Sequence, residues 1–151
     1  MEPHWLNNDE RGLWMRLHGL SERLLSDVDS QLRRDAGLTR YEYYVLAMLS
    51  ESPTRSRLMS DLALATNGSL SRLSHAAAKL EANGWLTRSH AAGQRRSVVA
   101  TLTDEGWRKI SESAPGHVAA VRERIFDHLT PAQVAALHEA LAPLFDGNCP
   151  K

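Results

Sequence analysis

The 151-residue chain holds a single cysteine, and it stands at position 149. One thiol excludes an internal disulfide framework and fits a reducing compartment. Only Lys151 lies near it in sequence, so the basic surroundings that make a thiol reactive are missing. No apolar run is long enough to cross a membrane, and neither end carries a charged-then-apolar signal segment; a soluble cytoplasmic protein is expected. The seven histidines, at 4, 18, 75, 90, 117, 128 and 138, form no H-E-x-x-H, and G-x-S-x-G and P-loop patterns are also absent. His117 and His128 share nearly one helix face but lie about three turns apart, too far for one ion. No catalytic residue, metal site or cofactor is expected.

Net charge is missing too: 18 basic residues balance 18 acidic ones. The balance is uneven along the chain. From Pro53 to Ile110 nine bases face four acids, which leaves +5. Residues 1–52 carry six bases against nine acids and residues 111–151 three against five, so the flanks stand at −3 and −2. A basic centre between acidic flanks is the footprint of a nucleic-acid reader with a separate body.

Acids are absent from one more place. In the stretch Arg57–Thr103, the pattern gives a helix, a short polar turn, a second helix over 69–83 and a two-stranded hairpin. The second helix has an inner face of Leu70, Leu73, Ala77 and Leu80, spaced by three and four. Its other side shows Ser69, Ser71, Arg72, Ser74, His75 and Lys79, all hydrogen-bonding or cationic. Such a face suits base edges and phosphates; the alternative is a solvated surface helix, although surface helices usually mix both signs of charge. The strands, about 85–90 and 96–102, are joined by a small basic tip with Arg95 and Arg96, and Arg88 lies on the first strand. The tip suits a phosphate backbone or a minor groove, or else is a plain exposed hairpin.

Start signals place the other helices. Asn7 with Glu10 and Thr39 with Glu42 open the first two, and Thr130-Pro131-Ala132-Gln133 opens the last. The arm 1–6 offers Trp5 and Leu6 as anchors. The first helix, about 8–35, carries Leu13, Leu17, Leu20, Leu24, Val28 and Leu32. It is long for a chain of this size and is expected to reach beyond its own subunit. Gly37 ends it. The second helix is expected to bury Tyr44, Val45, Met48 and Leu49, and a short third, about 58–66, to bury Leu62, Ala63 and Ala65. Asn67 and Gly68 tolerate a left-handed backbone at the corner. Thr103 caps a helix striped with Trp107, Ile110, Ala114, Val118, Val121, Ile125 and Leu129, in which Pro115-Gly116 predicts a kink or break. The last helix is expected to bury Val134, Leu137, Leu141, Leu144 and Phe145 and to close at Gly147.

The fold class that results is mainly α. A winged helix-turn-helix with a two-stranded β wing, residues 37–103, lies between helices 1–36 and 104–151. Those outer helices have little of their own chain to bury against, and a second copy is the economical partner.

The runs LTRYEYYVLAMLSES (38–52), MSDLA (59–63), SRLSH (71–75), KLEANGWL (79–86) and RRSVVATLTDEGW (95–107), in this order and spacing, resemble the MarR family of bacterial transcriptional regulators. SRLSH, Trp5-Leu6 and Trp14 are similar to an actinobacterial branch of it. The resemblance covers nearly the whole chain. It implies a homodimer on a pseudo-palindromic operator, usually a repressor, often released by a small ligand. The implied major-groove residues are Ser71, Arg72, Ser74 and His75, with Arg96 the wing arginine. The family's wing usually has an acid two residues before that arginine; here the position is Gln94, and Arg95 is expected to share the contact. The implied ligand site lies between the DNA-binding and dimerisation regions. Trp14, His18, Tyr44, Met48 and His117 are its candidates for a small aromatic or phenolic ligand, unless they are ordinary core and interface residues. A metal-responsive regulator and a winged helix that binds protein are the alternatives.

Overall fold

A computed structural model describes residues 3–145. Cys149 and Gly147 lie outside the described residues. In order, the elements are α1 (Asn8–Ala36), α2 (Arg40–Ser50), β1 (Ser56–Leu58), α3 (Met59–Ala65), α4 (Leu70–Ala82), β2 (Leu86–His90), β3 (Val98–Leu102), α5 (Asp104–Arg124) and α6 (Pro131–Leu141). One-turn 3₁₀ segments follow α5 and α6, at Phe126–His128 and Ala142–Leu144.

The three start signals all form reciprocal capping boxes, in which each cap side chain accepts from the backbone three residues on and the Glu or Gln there reaches back. Gly37 ends α1 at φ 66°, a left-handed conformation that costs a residue with a Cβ more. Pro115 does not break α5, which runs unbroken from Asp104 to Arg124. The missing N–H at Pro115 removes one intrahelical bond, and the turns on either side continue without it.

The core lies mostly in the winged helix, joined by Val28 and Leu32 of α1 and Ile110 of α5. Leu32, Leu38, Val45, Leu46, Leu49, Leu62, Leu73, Leu80 and Leu86 are fully enclosed, each contributing about 1.5–3 kcal/mol of burial. Two inner faces differ from expectation. In α2 the buried tyrosines are Tyr41 and Tyr43, and Tyr44 is exposed. In α4 the buried set is Leu73, Ala76, Ala77 and Leu80, and Leu70 at the first turn is exposed. Ala65 is only partly covered.

The sheet has three strands rather than two, in the order β1-β3-β2, all antiparallel. β1 is too short to show an alternation, so nothing in Ser56-Arg57-Leu58 announces a strand. Its register is held by the Ser56 and Thr101 hydroxyls, 2.8 Å apart, and by Leu102 N–H donating to the carbonyl of Arg55, itself left-handed at φ 54°.

Outside the winged helix the apolar stripes are only partly covered. Along α1 the coverage changes from one end to the other: Leu13 and Leu20 are about half exposed, whereas Val28 and Leu32 are buried. Trp5 and Leu6 are exposed, not anchored on their own chain. α6 has no buried residue; Leu137, Leu144 and Phe145 are exposed and Val134 and Leu141 are partly covered. The expected burial of this helix therefore does not occur within one chain. Among the contacts between the outer helices and the reader, Lys109 of α5 engages both: it donates to the Ala36 carbonyl at 2.6 Å and sits 4.9 Å from the centre of the Trp85 ring.

Candidate nucleic-acid interface

The turn before α4 sets the interface. Asn67 is left-handed, with φ 52°, but Gly68 is not. Gly68 is needed for space: a Cβ there would lie 2.8 and 2.9 Å from two atoms of the Tyr41 ring. Tyr41 in turn is buried, with its hydroxyl 3.0 Å from Thr66 Oγ1, and that hydroxyl donates to the Leu62 carbonyl at 2.8 Å. The ring thus locks α2 to the corner. Ser69 caps α4, accepting from the Arg72 backbone N–H at 3.1 Å.

The residues expected on the recognition face fall into two groups. Ser71, Ser74 and His75 are exposed and make no side-chain hydrogen bond among the described residues. Arg72 is exposed as well, but its guanidinium lies 4.1 Å above the Tyr41 ring. A cation over an aromatic face is held by about 0.5–1 kcal/mol or more, and the guanidinium edge keeps its donors. Lys79 and Arg88 have carboxylate partners. Lys79 Nζ donates to Glu42 Oε1 at 2.8 Å, tying α4 to α2. Arg88 gives Glu81 three hydrogen bonds, one from its backbone N–H, and ties β2 to α4.

In the wing, Arg95 and Arg96 are exposed and have no ion pair among the described residues. Gln94 does not reach Arg96. Its Oε1 accepts from Ser97 Oγ at 2.8 Å and closes the turn, with Gly93 left-handed at φ 77°. Between wing and α4 runs a shallow groove of about 230 Å³, which Leu70 and Ser74 line from one side and Arg96 from the other. Leu70 was not expected here, because its spacing alone places it with the core. If Arg96 meets a phosphate, Arg96→Ala will flatten the salt dependence of DNA binding by about 0.9 in log–log slope for each bound protomer, read by titration between 50 and 200 mM salt. An unchanged slope removes the wing arginine from the contact.

The expected ligand residues do not form one site within the chain. Trp14 and His18 stack on α1, ring centres 5.7 Å apart, with Trp14 mostly exposed. His117 packs on Tyr43, not Tyr44, with ring centres 4.3 Å apart. Gln31 lies close by, since a Cβ on Gly116 would touch its Nε2. Along α1, Trp14 and His18 are roughly 20–25 Å from Gln31. Met48 is buried in the core. Two polar atoms near this junction, Gln31 Oε1 and His117 Nδ1, are buried without a hydrogen-bond partner among the described residues. Gln31 is legible after the fact as the polar residue on α1's apolar side, three after Val28.

Burial holds the His117 imidazole below its ordinary value, so the folded chain prefers the neutral ring. Stability from this ring is complete above the unfolded value of about 6.5 and is lost as the pH falls below it. The carboxyls of Asp29, Asp35 and Glu81 are held low, by hydrogen bonds from Arg33, Gln31 and Arg88 respectively. Their stability is lost only in stronger acid, as the pH falls below about 4. Denaturation midpoints at pH 7.5 and 5.5 will therefore drop more for wild type than for His117→Gln. Equal drops would contradict the burial of this ring.

Among the described residues no three His, Cys, Asp or Glu side chains gather as a metal ion requires. No described helix is long and apolar enough to cross a membrane.

A family model described as MarR family matches residues 36–97. Sco3205 of Streptomyces coelicolor, a MarR family transcriptional regulator crystallised in complex with DNA, superposes with a TM-score of 0.92 and 41% identity, covering 99% of this chain and 94% of that one. AbsC, another MarR family regulator of Streptomyces coelicolor, gives a TM-score of 0.88 and 35% identity, covering 94% and 95%. An uncharacterized HTH-type transcriptional regulator of Bacillus subtilis, YfiV, is 30% identical over 143 residues, 92% of this chain and 84% of its own length.

Proposed function

The chain belongs to the MarR family of transcriptional regulators, and on that premise we propose that it is a non-enzymatic cytoplasmic repressor that reads a pseudo-palindromic operator as a homodimer. The observation that carries the reading is the exposed face of α4. Ser71, Ser74 and His75 stand on it with no side-chain hydrogen bond among the described residues, the helix's Glu81 is taken up by Arg88, and Tyr41 and Gly68 hold the N-terminal corner rigid. Donors and acceptors fixed on a rigid helix are what base edges require. The bare ends of α1 and α6 support the dimer: Leu13, Leu20 and Leu137 are each about half exposed in the single chain. Pairing through residues 1–36 and 104–151 would cover them and set two copies of 37–103 about 34–36 Å apart, one turn of DNA.

The DNA face is then Ser69, Ser71, Arg72, Ser74 and His75 with Arg95 and Arg96, while Lys79 and Arg88 act chiefly by holding α4 and the wing in place. Release by a small aromatic or phenolic ligand fits the junction of Gln31, Tyr43 and His117, where a hydroxyl could donate to either unpartnered atom. Such a ligand acts only through unequal affinity for the DNA-competent and DNA-incompetent spacings of α4.

Selection from a pool of random duplexes tests the operator reading. The retained sequences should share an inverted repeat with half-site centres about ten base pairs apart. Recovery of unrelated sequences, held equally well, would leave only non-specific binding and overturn it.

A further inference from the structure

The side of α4 that faces α1 and α2 borders a cleft of about 350 Å³. Four cations line it: Arg33, Arg40, Arg72 and Lys79, against the two carboxylates of Asp29 and Glu42. Both carboxylates are fully engaged. Asp29 accepts from Arg33 Nε at 2.6 Å and from the Arg40 backbone N–H at 2.8 Å. Glu42 accepts from Lys79 Nζ at 2.8 Å and from the Thr39 backbone N–H at 2.9 Å. The side chains of Arg40 and Arg72 have no carboxylate partner among the described residues, and the Arg72 guanidinium is held over the Tyr41 ring. The cleft therefore has two more cations than carboxylates, and its two unpaired guanidinium groups come from different helices.

Its place relative to the reading face decides what it holds. At about 100° per residue, Ser71, His75 and Ala78 mark the middle of the exposed face of α4, and Arg72 lies about 90° round from it. An α-helix with its side chains is about 10–12 Å across and the major groove about 12 Å wide. A helix seated in the groove turns its middle to the base edges and its sides to the walls, which are phosphates.

We propose that the cleft between α4 and the α1–α2 junction is a seat for a DNA backbone phosphate, gripped by Arg40 and Arg72. On this assignment, which rests on the operator reading above, Arg72 is a phosphate clamp set by Tyr41, and sequence is read by Ser71, Ser74 and His75. Arg40 becomes a DNA contact on a helix outside the helix-turn-helix pair and the wing.

The test uses the full chain and a duplex retained by wild type, beside a scrambled duplex of equal length. Affinities of wild type, Arg40→Ala, Arg40→Lys and Arg72→Ala are measured from 50 to 200 mM salt. Each alanine variant should lower the salt slope by about 1.8 for the dimer, about 0.9 from each protomer, and weaken both duplexes by the same factor, while Arg40→Lys keeps the wild-type slope. Replacing single phosphates by neutral methylphosphonates should expose one position per half-site that weakens wild type more than it weakens Arg40→Ala or Arg72→Ala, each of which has already lost one of the two grips. An unchanged slope in Arg40→Ala overturns the seat. Collapse of the selected-to-scrambled ratio in Arg72→Ala overturns it as well, because Arg72 would then be reading a base. A wild-type chain that retains no duplex overturns the operator reading and the seat with it, a result separable from losses confined to the variants.

Discussion

Gly106→Ala is expected to lower the unfolding free energy by about 3 kcal/mol or more, at the upper end of what overpacking costs. Gly106 lies in the first turn of α5, buried against the root of the wing. A Cβ there would stand 2.8 Å from the Trp85 carbonyl carbon and 2.7 Å from Leu102 Cδ1. The backbone of Trp85 cannot yield, because its carbonyl accepts from Thr103 N–H at 3.1 Å, and Thr103 also donates from its hydroxyl to the neighbouring Gly84 carbonyl. The same hydroxyl caps α5 by accepting from Gly106 N–H at 3.0 Å. One methyl group therefore strains the cap, the wing root and the start of α5 together. Thermal denaturation checks this, with a fall in midpoint of about 10 °C for a chain of this length. Gly116→Ala is the control: its Cβ meets nothing closer than Gln31 Nε2 at 3.6 Å, and alanine is the better helix former. If both variants melt with wild type, the close packing at Gly106 is wrong.

The second large effect concerns pairing. The variant Leu13→Glu with Leu20→Glu should be monomeric and should bind a selected operator about 100-fold or more weakly, because the second half-site is no longer engaged intramolecularly. Both side chains are about half exposed in the single chain, so their replacement removes little of the subunit's own core. Helicity and melting of the winged helix should persist, resting on enclosed residues such as Leu46 and Leu73. Light scattering reads the mass directly. A variant that stays dimeric would take the N-terminal half of α1 out of the interface.

Local chemistry was the most legible part of this chain. The boxes at Asn7, Thr39 and Thr130 need only a cap and a Glu or Gln three residues later, and all three form. The basic, acid-free side of α4 was legible for the same reason, since its composition and spacing lie within thirteen residues. What escaped depends on partners distant in sequence. The spacing in α2 favoured Tyr44, but burial went to Tyr41 and Tyr43, because α4 and α5 supply the surfaces that cover them. The Asn67-Gly68 pair predicts left-handed backbone at both positions, but Gly68 is there to make room for a ring twenty-seven positions earlier. The carboxylate partners of Lys79 and Arg88, Glu42 and Glu81, come within reach only in the fold. β1 has too few residues for any periodicity and exists because β3 has a second edge to pair.

The ammonium of Lys109 stands where three parts of the molecule meet: the last turn of α1, the Trp85 ring at the root of the wing, and α5 itself. In the proposed dimer it links the helices that would pair with a second subunit to the hairpin that would meet the DNA. A rotation of α5 in that dimer would move both ends of this joint together and so couple the spacing of the two readers to the angle of the wing.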